Sequence, residues 1–183
     1  MKKDYVVTAG HCTNNLNIGF NHYVAADAFF VGKMVSVSRN KYDYGLIDTS
    51  KKAKRLKIRP YISGSQNNSE LFITDSIPAS SHGAHLCKSG AKTKVTCGYI
   101  ESFNGVFTDI DDIILIDLIF TNSITRVGDS GGSVFYFLDL RSVSLVGIST
   151  AAFVIDNATF AINAVLPLEI ILDKTKLKLV TIN

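Results

Sequence analysis

Net charge, long hydrophobic runs, helix signals and histidines are all scarce in this 183-residue chain. Nineteen Lys and Arg against 16 Asp and Glu leave a net charge of only +3. That balance lacks the concentrated basic face of a nucleic-acid binder. The one basic run, Lys51 to Arg59, reads as a solvated loop and strand edge. The densest apolar stretch, Ile110 to Phe120, is broken by Asp111, Asp112 and Asp117, and is far short of the roughly 20 residues that span a bilayer. It reads as core strand, and no membrane partner is expected. Nothing at Met1-Lys2-Lys3-Asp4 resembles the apolar region of a secretory leader. There is no internal repeat and no low-complexity tract.

What the chain does have is a 46% hydrophobic composition, enough to bury a sizeable core as one compact unit or two small domains. Short β-rich runs separated by polar turns are expected as strands at Val6 to Ala9, Ala28 to Val37, Tyr44 to Asp48, Leu71 to Thr74 and Val95 to Ser102. Further strands are expected at Ile113 to Phe120, Ser133 to Leu138, Val143 to Ser149 and Thr159 to Asn163. One helix is predicted at the end, where Pro167 at an early helical position precedes Leu168, Ile171 and Leu172 at amphipathic spacing. The fold class is therefore all-β with a short C-terminal helix. The polar stretch Ser63 to Ser69 is the best linker candidate.

Three strings carry chemistry: Thr8-Ala9-Gly10-His11-Cys12, Asn40-Lys41-Tyr42-Asp43-Tyr44-Gly45-Leu46-Ile47 and Gly128-Asp129-Ser130-Gly131-Gly132-Ser133. A serine hydroxyl needs an imidazole to take its proton and a carboxylate to hold that imidazole in the right tautomer. His11, Asp43 and Ser130 supply those groups. Glycines around the serine let backbone N–H groups face a developing oxyanion, with Gly128 and Ser130 as the donors. The Ser130 string also fits the G-x-S-x-G elbow of α/β-hydrolases, but there the histidine follows the serine. All four histidines here, His11, His22, His82 and His85, precede Ser130, which excludes that reading. The order His, Asp, Ser is that of chymotrypsin.

Together the strings resemble the trypsin-like serine endopeptidases, of the bacterial streptogrisin and alpha-lytic type. Ser133-Val134 after the paired glycines, the Asp43 segment, Leu86-Cys87-Lys88-Ser89-Gly90 leading to Thr96-Cys97-Gly98, and Thr159-Phe160 before Ala164-Val165-Leu166 carry the narrower match, which covers roughly Tyr5 to Leu168. The resemblance implies two antiparallel six-stranded-type β-barrels with the active site in the cleft between them. Residues 1–65 would form the first, carrying His11 and Asp43, and residues 66–183 the second, carrying Ser130. In that family about 30 residues of strand precede the histidine string, so the first barrel is expected to be incomplete, as in a fragment, a truncated gene model or a degenerate copy.

The same resemblance implies a Cys87–Cys97 disulfide, which leaves Cys12 without a partner; three free thiols in a reducing cell are the alternative. It implies a Lys88–Asp129 pair that holds the oxyanion loop, against an exposed Lys88. It places Thr150, Ala151 and Ala152 along the substrate. Their methyl groups would crowd the primary pocket and favour small or medium apolar side chains, with Ile124 at the depth where an acid would bind Arg or Lys. The implied function is hydrolysis of polypeptide substrates through an acyl-enzyme, without cofactor or metal, by a secreted monomer that protein inhibitors could block. The alternative is an inactive homologue or truncated fragment acting only as a binding module. His82, His85 and Cys87 make a weak metal spacing. Asp48 is a lesser choice of triad acid, and Asp109, Asp111 and Asp112 read as a solvated turn rather than a calcium site.

Overall fold

The computed structural model describes residues 3–13, 15–24, 26–64, 70–155 and 160–182. Strands β1 (Tyr5–Thr8), β2 (Gly19–Val24), β3 (Asp27–Ser38) and β4 (Tyr44–Asp48) form one sheet in the order β1-β4-β3-β2, antiparallel throughout. A single 3-10 turn, Gly10–Cys12, follows β1.

The second sheet holds β5 (Tyr61–Ser63), β6 (Glu70–Ser76), β7 (His85–Gly90), β8 (Lys94–Thr108), β9 (Ile114–Thr121), β10 (Ser133–Phe137), β11 (Ser142–Ile155) and β12 (Phe160–Pro167). Six of these close on themselves, β10-β7-β8-β9-β12-β11, because β10 also pairs with β11. Closure removes every free edge from the ring. Strand β6 joins the outside of the ring by pairing in parallel with β11, and β5 adds to β6. The expected all-β architecture is present, with one closed barrel and one four-stranded sheet among the described residues.

The barrel is filled from the inward positions of its strands. Phe135, Val143 and Leu145 pack with Cys87; Leu86, Ile100, Val134, Val146 and Val165 form a second cluster; Leu118, Ile148, Ala164 and Leu166 form a third with Ile171. Each Val, Leu, Ile or Phe among them contributes about 1.5–3 kcal/mol on leaving water. Helix α1 (Leu168–Thr175) presents Leu168 and Ile171 to this core. Pro167 is its N-cap rather than its first helical residue, with φ −57° and ψ 136°, and ends β12 as a position whose missing N–H costs nothing.

Some elements exceed or escape the sequence pattern. Strand β8 runs on to Thr108 through three register shifts, with Asn104 in the left-handed region at φ 51°. Strand β2 alternates poorly and exists by pairing with β3. Most of the linker candidate, residues 65–69, and with it the expected division at 65/66, lies outside the described residues, as does Thr159.

Candidate active site

His11 lies in the turn that ends β1, and Asp43 lies just before β4, the strand with which β1 pairs. The pairing brings the two segments together. Asp43 is 3% exposed. Its Oδ1 accepts from the His11 backbone N–H at 2.8 Å, and its Oδ2 lies 2.5 Å from His11 Nδ1. A side chain at Gly10 would run into Asp43, the Ser38 carbonyl and the Tyr44 carbonyl. Glycine is therefore what lets the turn settle onto the carboxylate.

A third donor reaches Asp43 from the barrel. Thr150 Oγ1 lies 2.6 Å from Asp43 Oδ2 and is 1% exposed. Its strand, β11, is irregular here, with a register shift between Ser149 and Ala151. A bulge of this kind re-aims a side chain, so Thr150 turns to Asp43. Ala151 and Ala152 remain half-buried beside it.

Ser130 sits between two glycines in the left-handed region, Gly128 at φ 99° and Gly131 at φ 81°. The loop is pinned to β11: the Gly131 N–H donates to the Ser149 carbonyl at 2.7 Å, and the Ser149 N–H donates to the Gly132 carbonyl at 2.9 Å. A Cβ on Gly131 would collide with Thr8 Oγ1 at the end of β1, so the loop and the His11 turn are in contact. Cys12 Sγ lies 4.0 Å from the Ser130 carbonyl oxygen. Desolvation and the Asp43 charge push the Cys12 thiol up, against hydrogen bonds from Thr8 and the Ala9 backbone that pull it down. Among the described residues no hydrogen bond joins His11 to Ser130; such bonds tighten in many enzymes only when substrate binds.

Behind the serine, Asp129 is 2% exposed and accepts five hydrogen bonds. Lys88 Nζ, Thr93 Oγ1 and the Arg126 N–H reach Oδ2 at 2.8, 2.6 and 3.0 Å. The Lys92 and Thr93 N–H groups reach Oδ1 at 2.8 and 3.0 Å. Burial alone would raise the Asp129 carboxyl, but the bonds from Lys88 and Thr93 outweigh it and hold it well below the usual carboxylate range. Lys88 is 1% exposed and also donates to Thr93.

Cys87 and Cys97 are disulfide-bonded across β7 and β8. Both sulfurs are therefore withdrawn from the His85, Cys87 and Cys97 cluster, the one grouping with metal-like geometry among the described residues. Arg39 bridges Asp109 and Asp111 at 3.1 and 2.9 Å, so a guanidinium stands where a cation would be sought. Asp48 pairs with Lys3 and the Ser50 N–H. Ile124 is 46% exposed, its carbonyl held by Thr96. Sequence reasoning did not find Thr150 as a partner of Asp43, nor Thr93 as a partner of Asp129, because both contacts depend on a bulge or a turn that no spacing announces.

A closed six-stranded barrel carries the Ser130 loop, and it is set against a sheet carrying the His11–Asp43 pair, whose carboxylate is buried. The chain has the chymotrypsin fold. It is 32% identical over 134 residues to glutamyl endopeptidase 2 of Streptomyces griseus, a match spanning 72% of this chain and 65% of that protein. Among solved structures it is similar to Thermobifida fusca protease A, with TM-score 0.77 and 23% identity over 98% of this chain and 86% of that one. It is also similar to Cellulomonas bogoriensis chymotrypsin, with TM-score 0.76 and 22% identity over 96% and 85%. A glutamic acid specific serine protease described as using a histidine triad in substrate binding matches with TM-score 0.75 and 24% identity over 94% and 84%. No protein-family model matches the chain.

Proposed function

We propose that this chain is a serine endopeptidase in which His11, Asp43 and Ser130 act together on a polypeptide. The observation that carries the reading is the His11–Asp43 pair, buried on the carboxylate side and set against the loop that holds Ser130. Ser130 Oγ attacks the scissile carbonyl carbon while its proton passes to His11 Nε2. Asp43, fixed by the His11 N–H and Thr150, keeps the imidazole proton on Nδ1 and stabilises the imidazolium. The C–N bond then breaks, His11 returns the proton to the departing amine, and water deacylates Ser130 by the same route in reverse.

The oxyanion falls to the Gly128 and Ser130 N–H groups. Neither donates to a backbone acceptor among the described residues, and Gly128 φ favours the open turn that would present them. One such donor is worth about 3–4 kcal/mol of transition-state stabilisation. The Lys88–Asp129 pair fixes the turn immediately before Ser130. Ala151 and Ala152 would flank the substrate, and a disulfide suits an extracellular compartment. Two units, residues 1–65 and 66–183, would meet at the site.

The glutamic acid preference named for two relatives does not carry over through histidines. His11 is held by Asp43, while His22, His82 and His85 are exposed, the last two packed edge-to-face with Phe103 and Tyr99. The reading is tested by incubating the protein with an unfolded polypeptide and mapping new amino termini. Cleavage that is lost in Ser130→Ala supports it, and cleavage that persists in that variant, or none by the parent, overturns it.

A further inference from the structure

His85 and Cys87 stand two residues apart on β7, so their side chains leave the same face of the sheet. Cys97 is paired directly across from Cys87 on β8, and Tyr99 across from His85. The Cys87 and Cys97 Cα atoms are 4.0 Å apart, the close approach at which side chains of facing strands meet. One imidazole and two sulfurs thus gather over a single strand pair, with a ring nitrogen and both sulfurs within 4.8 Å of one another. His82, which the sequence spacing set beside them, is engaged elsewhere, by Phe103 and the Glu101 carbonyl.

Those three donors are a zinc set. Thiolate sulfur and imidazole nitrogen bind Zn²⁺ at about 2.0–2.3 Å, which puts neighbouring donor atoms roughly 3.5 Å apart. Disulfide-bonded sulfurs have no charge to give. Once the bond opens they part to about that spacing, and the exposed His85 ring closes the remaining distance by rotating. The surroundings suit the ion as well. Cys87 is 2% exposed, with Phe135 beside it in register on β10, so one flank is dry. Cys97 and His85 are exposed, which leaves the ion a way in and a position for water.

We propose that His85, Cys87 and Cys97 form a zinc site when the disulfide is reduced, so that the β7–β8 pair is stapled by the S–S bond in oxidising surroundings and by Zn²⁺ in reducing ones. A dithiol supplies the electrons. Its thiolate attacks the exposed Cys97 sulfur, the S–S bond breaks and Cys87 leaves as the thiolate. The second thiol then attacks the mixed disulfide, releasing Cys97 and leaving the dithiol oxidised to a disulfide. Zn²⁺ binds the two thiolates and a ring nitrogen of His85, and the two protons that the dithiol carried pass to water. The strand so held also carries Lys88, the cation paired with Asp129. The assignment does not depend on the endopeptidase reading.

The test uses the intact chain, opened with a phosphine, which leaves as its oxide with oxygen from water, and then dialysed against Zn²⁺ under nitrogen. Native mass spectrometry should find about one zinc ion per reduced chain and no zinc on the oxidised chain. Co²⁺ in place of zinc should give thiolate-to-cobalt charge-transfer absorption, retained in Cys12→Ala and absent from Cys87→Ala/Cys97→Ala. His85→Ala changes an exposed side chain and keeps the disulfide, and it should weaken zinc binding at least about tenfold. A site that only the folded chain assembles stabilises the fold, so zinc should raise the Tm of the reduced chain and leave that of the oxidised chain unmoved. No zinc on the reduced chain, equal zinc on the oxidised chain, zinc held as tightly by His85→Ala, or a reduced-chain Tm that zinc does not raise overturns the assignment. Cobalt absorption lost in Cys12→Ala overturns it too.

Discussion

Thr150 on the barrel strand β11 donates its hydroxyl proton to Asp43 on the four-stranded sheet, across 2.6 Å and 107 residues of sequence. It is the one side chain that ties the second sheet directly to the His11–Asp43 pair among the described hydrogen bonds, and it makes the orientation of the carboxylate depend on how the two sheets sit together.

Thr150→Val keeps the shape and removes the donor. Loss of a hydrogen bond to a charged group costs about 1.5–3 kcal/mol, so kcat on a peptide substrate should fall roughly 10- to 100-fold, with KM moving much less. Steady-state kinetics against Thr150→Ser, which restores the hydroxyl and most of the rate, provides the check. An unchanged kcat in Thr150→Val would remove Thr150 from the account.

Lys88→Met should destabilise the fold by about 3–5 kcal/mol, because it leaves Asp129 buried without its cation. Thermal unfolding should show a fall in Tm of roughly 6–20 °C for a chain of this size. Retained Tm would mean that Thr93 and the backbone N–H groups suffice to hold the carboxylate.

The Asp129 carboxyl also sets a pH dependence. Its folded-state pKa lies below the unfolded value of about 3.9, so its contribution is fully present above that value. The contribution fades as pH falls below it, because the unfolded chain takes up the proton first. In urea titrations from pH 6 downward, Asp129→Asn should be less stable than the parent at pH 6 and lose less stability on acidification. Parallel pH profiles for the two proteins would contradict this.

Reduction of the Cys87–Cys97 disulfide releases a short loop across a β7–β8 pair. On the chain-entropy account it should cost about 3 kcal/mol. Calorimetry with and without reductant, repeated on a Cys87→Ala/Cys97→Ala protein that should not respond to reductant, measures it.

Much of this was legible in the sequence for a physical reason. Strands such as β4 and β10 carry their burial in their own composition, and Tyr44–Asp48 was bounded to the residue. The His11, Asp43 and Ser130 strings are legible because their glycines answer local steric demands, as Gly10 and Gly131 show. Strand β2 was not, since its residues are mostly exposed and it is held by β3. The contacts of Thr150 and Thr93 were not, because each depends on a partner dozens of residues away or on a bulge that breaks the two-residue alternation. The resemblance places Thr150 along the substrate, and the bond its hydroxyl makes to Asp43 depends on the bulge in β11.

The most direct measurement is covalent labelling of the intact chain by a fluorophosphonate, with the adduct mapped by mass spectrometry. A single adduct on Ser130 is expected, absent from Ser130→Ala and strongly slowed in His11→Ala, since the hydroxyl is activated only through the imidazole. An adduct on another residue, equal labelling in His11→Ala, or no adduct at all would contradict it.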